Sequence, residues 1–378
     1  MVSNPSRSKR SERGLLTEGE IFWRERHDWL RQSGYELRPR YHPEWVPSWK
    51  GTNKLIISCE DGVALLHTQL IDAVRTSDGR VVVIKQIPKS VHPYEVDIGR
   101  YLTSSPLSDD PRNHCCPILD VLQDPRDPDI QLVVMPFLRQ YNDPKFSTVG
   151  EAVEFFRQAL EGLQFMHDHH VAHRDIMTLN VMMDPKPLFP NLYHPAVQLK
   201  TRDFKGHVHP YSRTARPVKY YWTDFGLSRR FDPEDTNPLA VPIFGGDRTV
   251  PEYNKDPHSP CNPFRVDVYN LGNLIREDFL QVFKNLAFMD PLVARMCSED
   301  PEKRPTIKEV VSEFYRIVPK LSCQLRQRLV ERKDGAFMNF LKGVHHVTSR
   351  TIPDLLASNS PLPTPKAECS HSYGPAPE

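Results

Sequence analysis

The sequence predicts an α+β fold of two lobes, a small one rich in β-strands followed by a larger helical one. Three observations predict it. The chain has 378 residues, more than one compact core usually holds. Between residues 55 and 138, apolar residues fall in short runs separated by turn residues. From residue 139 to about 318 they recur at three- and four-residue spacing over longer stretches, the mark of helices with one buried face.

Taken in order, residues 1–54 read as a basic disordered tail, a helix and an extended segment. Thr17-Glu18-Gly19-Glu20 is a capping box opening a helix that carries Ile21, Phe22, Trp29 and Leu30 and stops near Gly34. YELRPRYHPEWVPSWKG then reads as an extended segment, rich in proline and aromatics, packed on a neighbour. Gln69–Arg75, the turn Ser77-Asp78-Gly79-Arg80 and Val81–Lys85 form a predicted β-hairpin. A short helix follows over Glu95–Leu102, and Ile130–Met135 is a further buried strand ended by Pro136. In the second half, Thr148–His167 places Val149, Val153, Phe156, Leu160 and Leu163 on one helical face. Further helices are predicted at Val266–Phe283, Pro291–Cys297 and Thr306–Ile317, then a helical extension over 319–350. The polar, proline-rich stretch 351–378 is expected to be disordered.

Composition narrows the function. Lys plus Arg number 49 and Asp plus Glu 48, a net charge of +1. That balance argues against a nucleic-acid binder and against a cationic membrane-surface protein, so neither partner is expected. No apolar run approaches the length of a membrane span. MVSNPSRSKRSERG has no apolar core of a secretion signal. The 7 cysteines follow no paired spacing, which suits a reducing compartment, the cytoplasm or the nucleus.

Five separated elements can carry chemistry. Val81-Val82-Val83-Ile84-Lys85 is an apolar strand ending in a lysine, whose ammonium, if held in a cleft, is a point charge for phosphate oxygens. Such a buried ammonium needs a carboxylate, and Glu95 is the candidate. His173-Arg174-Asp175 with Asn180 puts a proton acceptor and an amide oxygen on one short loop. Asp224-Phe225-Gly226 follows the β-like run YYWT, and an acidic residue at a strand end suits magnesium, which prefers hard oxygens. Finally, Val250-Pro251-Glu252 and Asp300-Pro301-Glu302-Lys303-Arg304 could supply a buried bidentate ion pair between Glu252 and Arg304. Two other signals are weighed and set aside: His167, His169, His170 and His173 as a helix end plus a structural histidine, and Cys115-Cys116 as free thiols.

In their order, over residues 60 to 318, these motifs resemble the signature set of the eukaryotic-type protein kinase superfamily. HRDIMTLNVMMD, YYWTDFGLSRRF and GGDRTVPE are similar, more narrowly, to kinase-like proteins of mushroom-forming fungi. The resemblance implies a bilobal kinase-like fold, with the small lobe at 55–138, the helical lobe at 139–318 and an insert at about 185–218. It implies ATP and Mg2+ as cofactors and a protein hydroxyl, of serine or threonine, as acceptor. Lys85 would hold the α- and β-phosphates and pair with Glu95, Asp175 would accept the hydroxyl proton, and Asn180 and Asp224 would hold magnesium. Met135 would be the gatekeeper, and adenine would meet the Pro136 carbonyl and the Leu138 N–H. Gly62 would be the remnant of the glycine-rich phosphate loop.

The chain departs from that pattern in several places. SCEDGVALLHT keeps Gly62 alone of the expected glycines, and Met177 stands where Ser/Thr kinases usually have a lysine. Asp175 and Asp224 are separated by a long insert, expected as a surface excursion, and Gly245-Gly246-Asp247-Arg248 replaces the usual threonine region before Pro-Glu. A pseudokinase that binds nucleotide without significant turnover is therefore the alternative. A small-molecule phosphotransferase is disfavoured by the Glu252 and Arg304 motifs.

Overall fold

Hydrogen-bond demand and apolar burial explain the order of elements in the computed structural model, which describes residues 14–65, 67–243 and 245–366. The basic stretch 1–13 and residues 367–378, both expected to be disordered, lie outside the described residues.

The capping box forms as predicted: the Glu20 amide donates to Thr17 Oγ1 (3.3 Å) and the Thr17 amide to Glu20 Oε2 (2.9 Å), opening α1, Glu18–Arg24. The helix does not run on to Gly34. It breaks at Arg26, whose Nε donates to buried Asp124 (2.5 Å), and restarts as α2, His27–Gln32. The segment expected to be merely extended contains β1, Tyr35–Leu37, the first strand of a sheet. With β2 (Leu70–Arg75), β3 (Val81–Pro88), β4 (Asp120–Gln123) and β5 (Ile130–Pro136), it makes an antiparallel sheet in the order β1-β2-β3-β5-β4. The sheet curls enough for Tyr35 on one edge strand to donate to Asp120 on the other (2.8 Å).

Alternation along β3 assigns the two faces of this sheet. Val82 and Ile84 point to a core shared with Trp23, Leu30 and Tyr41, so residues 14–54 belong to the same packed unit as 55–138. The opposite face carries Lys85 and Ile87, the latter packed with Val96 of α3, Glu95–Thr103. A fully buried ion pair ties the N-terminal segment down. Arg40 Nε donates to Glu20 Oε1 (2.8 Å), neither side chain is accessible, and Arg40 also donates to the Asp61 carbonyl.

The larger part is built around α4, Val149–Asp168, which is buried on nearly every side, as expected of a helix at the centre of a bundle. Its neighbours include α6, Pro263–Ile275, and α8, Ile307–Ile317; α5 (Pro251–Lys255) precedes α6, and α7 (Asp290–Met296) lies between α6 and α8 in sequence. The predicted helix over Val266–Phe283 ends as regular helix at Ile275 and continues as one wide turn, Arg276–Leu280. Short strands β6 (Arg139–Gln140), β7 (Val171–Ala172), β8 (Val181–Met183), β9 (Tyr220–Trp222) and β10 (Arg229–Arg230) form two small antiparallel sheets beside α4. Helices and antiparallel sheet are thus both present, the mixed architecture expected.

Two expectations are corrected. The insert between β8 and β9 is a surface excursion only at its tip, where Leu199 and Tyr211 are exposed. Leu188, Phe189 and Tyr193 are buried in the main core, with the Arg139 guanidinium over the rings of Phe189 (4.7 Å) and Tyr193 (4.5 Å). His194 from the same insert meets Glu60 at 2.8 Å. The expected disorder after residue 350 does not hold for residues 351–366. α9 (Ala336–His346) leads through a wide turn, Val347–Thr351, into α10 (Ile352–Leu356), then Leu362 packs on the main core and Thr364 Oγ1 donates to Glu154 (3.0 Å).

Candidate functional site

Lys85 lies on β3, opposite Val133 of β5, on the face that looks toward α3. Glu95 is the first residue of α3, which points its carboxylate back at the strand. The Lys85 ammonium donates to Glu95 Oε1 (2.5 Å) and to Asp224 Oδ1 (3.0 Å). Three residues distant in sequence therefore meet at one cation. Burial opposes the Lys85 charge, but Glu95 and Asp224 outweigh it, and its pKa is raised. Burial, followed by the attraction of Lys85, governs the other two: Glu95 ends above the usual carboxylate range and Asp224 below it. The difference is physical. Glu95 Oε2 is buried without a hydrogen-bond partner, whereas 47% of the Asp224 side chain is accessible.

Asp224 follows β9 in a left-handed conformation (φ 64°) and accepts from the Gly226 amide (3.3 Å). Gly226 is required by close approach: a Cβ there would lie 2.8 Å from His92 Nδ1 and 3.0 Å from Glu95 Oε2. Phe225 between them is buried in the main core and fixes the turn.

Asp175 stands on the loop after β7. Asn180 gives one amide hydrogen to the Asp175 carbonyl (2.9 Å) and one to Asp175 Oδ2 (2.8 Å), while the Gly246 amide donates to Oδ1 (2.8 Å). The loop is held from below by Asp267 of α6, wholly buried, which accepts from the amides of His173 and Arg174 (both 2.7 Å). His173 Nε2 reaches the Thr223 carbonyl (3.1 Å) and the Thr223 amide donates to the Asn180 carbonyl (3.0 Å), joining this loop to the Asp224 turn. Glu252 and Arg304 form the anticipated bidentate pair (2.7 and 2.6 Å), with the Arg304 side chain fully buried.

The other predicted positions divide. Met135 packs at the edge of the group formed by Ile87, Val96 and Val133, so it borders the Lys85 face. Pro136 is paired with Val82 at the end of β5, and Leu138 is half-buried in the link to β6. Gly62 ends a tight turn, Glu60–Gly62, where a Cβ would sit 2.2 Å from the Ile56 carbonyl oxygen, so close chain packing by itself requires a glycine there. The sequence reading missed Asp267, Gly246 and His194. Asp267 was visible as an acidic residue inside an otherwise apolar helix; Gly246 acts through its backbone and left no side-chain signal.

Asn180 spends both amide hydrogens on Asp175, leaving its Oδ1 to offer a cation, and Asp224 keeps Oδ2. Two hard oxygen donors of that kind suit magnesium better than a softer metal. Among the described residues there is no cluster of three His, Cys, Asp or Glu side chains able to hold a metal by themselves, and no helix long and apolar enough to cross a membrane. No protein-family model matches the chain, and no curated protein matches it either.

Proposed function

We propose that this chain is a protein kinase with the bilobal fold of that superfamily, transferring the γ-phosphate of Mg-ATP to a serine or threonine hydroxyl of a protein. The single observation that carries the proposal is the meeting of Lys85, Glu95 and Asp224 at one ammonium. In the proposed reaction Lys85 binds phosphate oxygens, and Glu95 holds it in place. Asp224 and Asn180 are the residues that would hold magnesium, which when bound neutralises charge on the phosphates. Asp175, oriented by Asn180 and backed by the amides that Asp267 anchors, would take the proton of the incoming hydroxyl.

A pseudokinase is the second reading, and a specific contact favours it: the Gly246 amide already occupies Asp175 Oδ1, as Asn180 occupies Oδ2. The test is γ-phosphate transfer from Mg-ATP to a peptide library. Asp175→Asn keeps the shape of the side chain, retains only one of its two accepted bonds and cannot take a proton, so turnover should fall about a hundred- to ten-thousandfold. Equal, slow labelling by wild type and Asp175→Asn would sink the kinase proposal and leave the pseudokinase.

A further inference from the structure

α9 and α10 are mounted the opposite way round from an ordinary surface helix, which turns its apolar stripe to the core. Here the inward side is polar. Lys342 Nζ donates to both oxygens of Asp334 (2.8 and 2.9 Å), Asn339 accepts from Arg328 (2.8 Å), and Asp354 accepts from Asn359 (2.8 Å). His346 and Asp354 are buried. The outward side is apolar: Phe337 is 74% exposed, Phe340 67% and Leu356 83%, with Leu341, Val344 and Leu355 also exposed. The stretch from Ala336 to Leu356 is helical throughout, about 30 Å long at the usual rise. An apolar ridge of that length on a folded surface marks a contact site.

Charge identifies the partner. Residues 320–366 hold 8 Lys or Arg and 3 Asp or Glu, a net +5 in a chain whose total is +1. The near-neutral total that argued against a membrane surface averages over this segregation. The three acids are turned inward or paired: Asp334 and Asp354 are buried, and Glu331 lies beside Lys333 (3.2 Å). Exposed Arg332 and Lys333 stand just ahead of α9, at one end of the ridge. A second copy of the chain would set these cations against one another, and the apolar arc is broader than the seam two helices share.

We propose that the α9–α10 ridge lies in the plane of an anionic lipid bilayer, its phenylalanines among the acyl chains and its rim of cations at the headgroups. No described helix can cross the membrane, so the attachment is peripheral and reversible.

Sedimentation of the full chain with phosphatidylserine–phosphatidylcholine vesicles, compared with phosphatidylcholine alone, tests this. Binding should appear with the anionic vesicles and weaken with salt. Phe337→Glu with Phe340→Glu should reduce it at least tenfold, and Lys333→Ala about fivefold. Both phenylalanines are exposed, so these variants should melt as wild type does; Leu356→Glu on α10 gives an independent check should they not. Three results would overturn the proposal: no binding of wild type to anionic vesicles, equal binding to both lipid mixtures, or unchanged binding by the folded Phe337→Glu/Phe340→Glu variant. A dimer in solution that these substitutions dissociate, with no vesicle binding, would assign the ridge to a second copy instead.

Discussion

Removing the Arg304 side chain should cost far more stability than removing any exposed arginine. Arg304 is fully buried and donates two bonds to the Glu252 carboxylate, one to the Ser298 carbonyl (2.8 Å), and lies over the Tyr269 ring (4.8 Å). Arg304→Ala leaves Glu252, whose side chain is only 12% accessible, as a largely desolvated charge without its partner. Breaking a buried pair in this way costs roughly 3–5 kcal/mol. Arg295 supplies the control. It pairs with Glu313, but the two side chains are 53% and 33% accessible, and exposed pairs are worth only about 0–1 kcal/mol. Urea unfolding of Arg304→Ala and Arg295→Ala, followed by tryptophan fluorescence, measures both. Glu252→Met with Arg304→Met should lose less than Arg304→Ala, because the double change strands no charge. If Arg304→Ala and Arg295→Ala unfold within about 0.5 kcal/mol of each other, the reasoning from burial is refuted.

Nucleotide should stabilise the chain. At a hundredfold excess of Mg-ATP over Kd the gain is about 2.7 kcal/mol. A melting curve should show it, EDTA should weaken it, and Lys85→Met should abolish it; no shift in wild type would refute nucleotide binding. Asp224→Asn should weaken Mg-ATP affinity as well as rate, whereas Asp175→Asn should leave affinity within a few-fold, as isothermal titration can show. His114 gives the pH test. Burial first, with Lys219 adding to it, depresses its pKa from 6.5 to about 3. The folded state therefore refuses a proton that the unfolded chain binds, and this share of stability, complete above pH 6.5, is lost as pH falls toward 3. Urea unfolding between pH 6 and 4 should show His114→Gln with a slope shallower by up to about 1.4 kcal/mol per pH unit, and an unchanged slope would refute the assignment.

What could be read from the sequence follows from how local each signal is. The β2–β3 hairpin was legible because Ser77-Asp78-Gly79 makes a turn and the flanking residues alternate. Both capping boxes, at Thr17 and Thr306, are written within four residues, and at the second Thr306 and Glu309 exchange bonds. Lys85 and Glu95 could be nominated as a pair, since a buried ammonium needs a carboxylate, and Asp224 separately, as an acidic residue at a strand end; the fold brings all three together. β1 was hidden because three residues ahead of a proline show no alternation worth counting. The buried base of the insert was hidden because Leu188, Phe189 and Tyr193 follow neither period, although all three reach the main core. The helical extension expected over 319–350 carried no sign of which side of it faces in. That depends on Asp334, Arg328 and Asn359, which lie outside α9 and α10.

The pairing of β1 with β2 decides where this chain can be cut. A fragment begun at residue 55 would keep β2 but lose the strand that satisfies its outer amides and carbonyls, together with the Trp23 and Leu30 cover over Val82 and Ile84. What remains is a bare strand edge beside an apolar sheet face, a template on which other chains can add. Expression trials that trim the N-terminus should therefore yield aggregates once the cut passes Tyr35, with the change governed by the sheet rather than by any residue around Lys85.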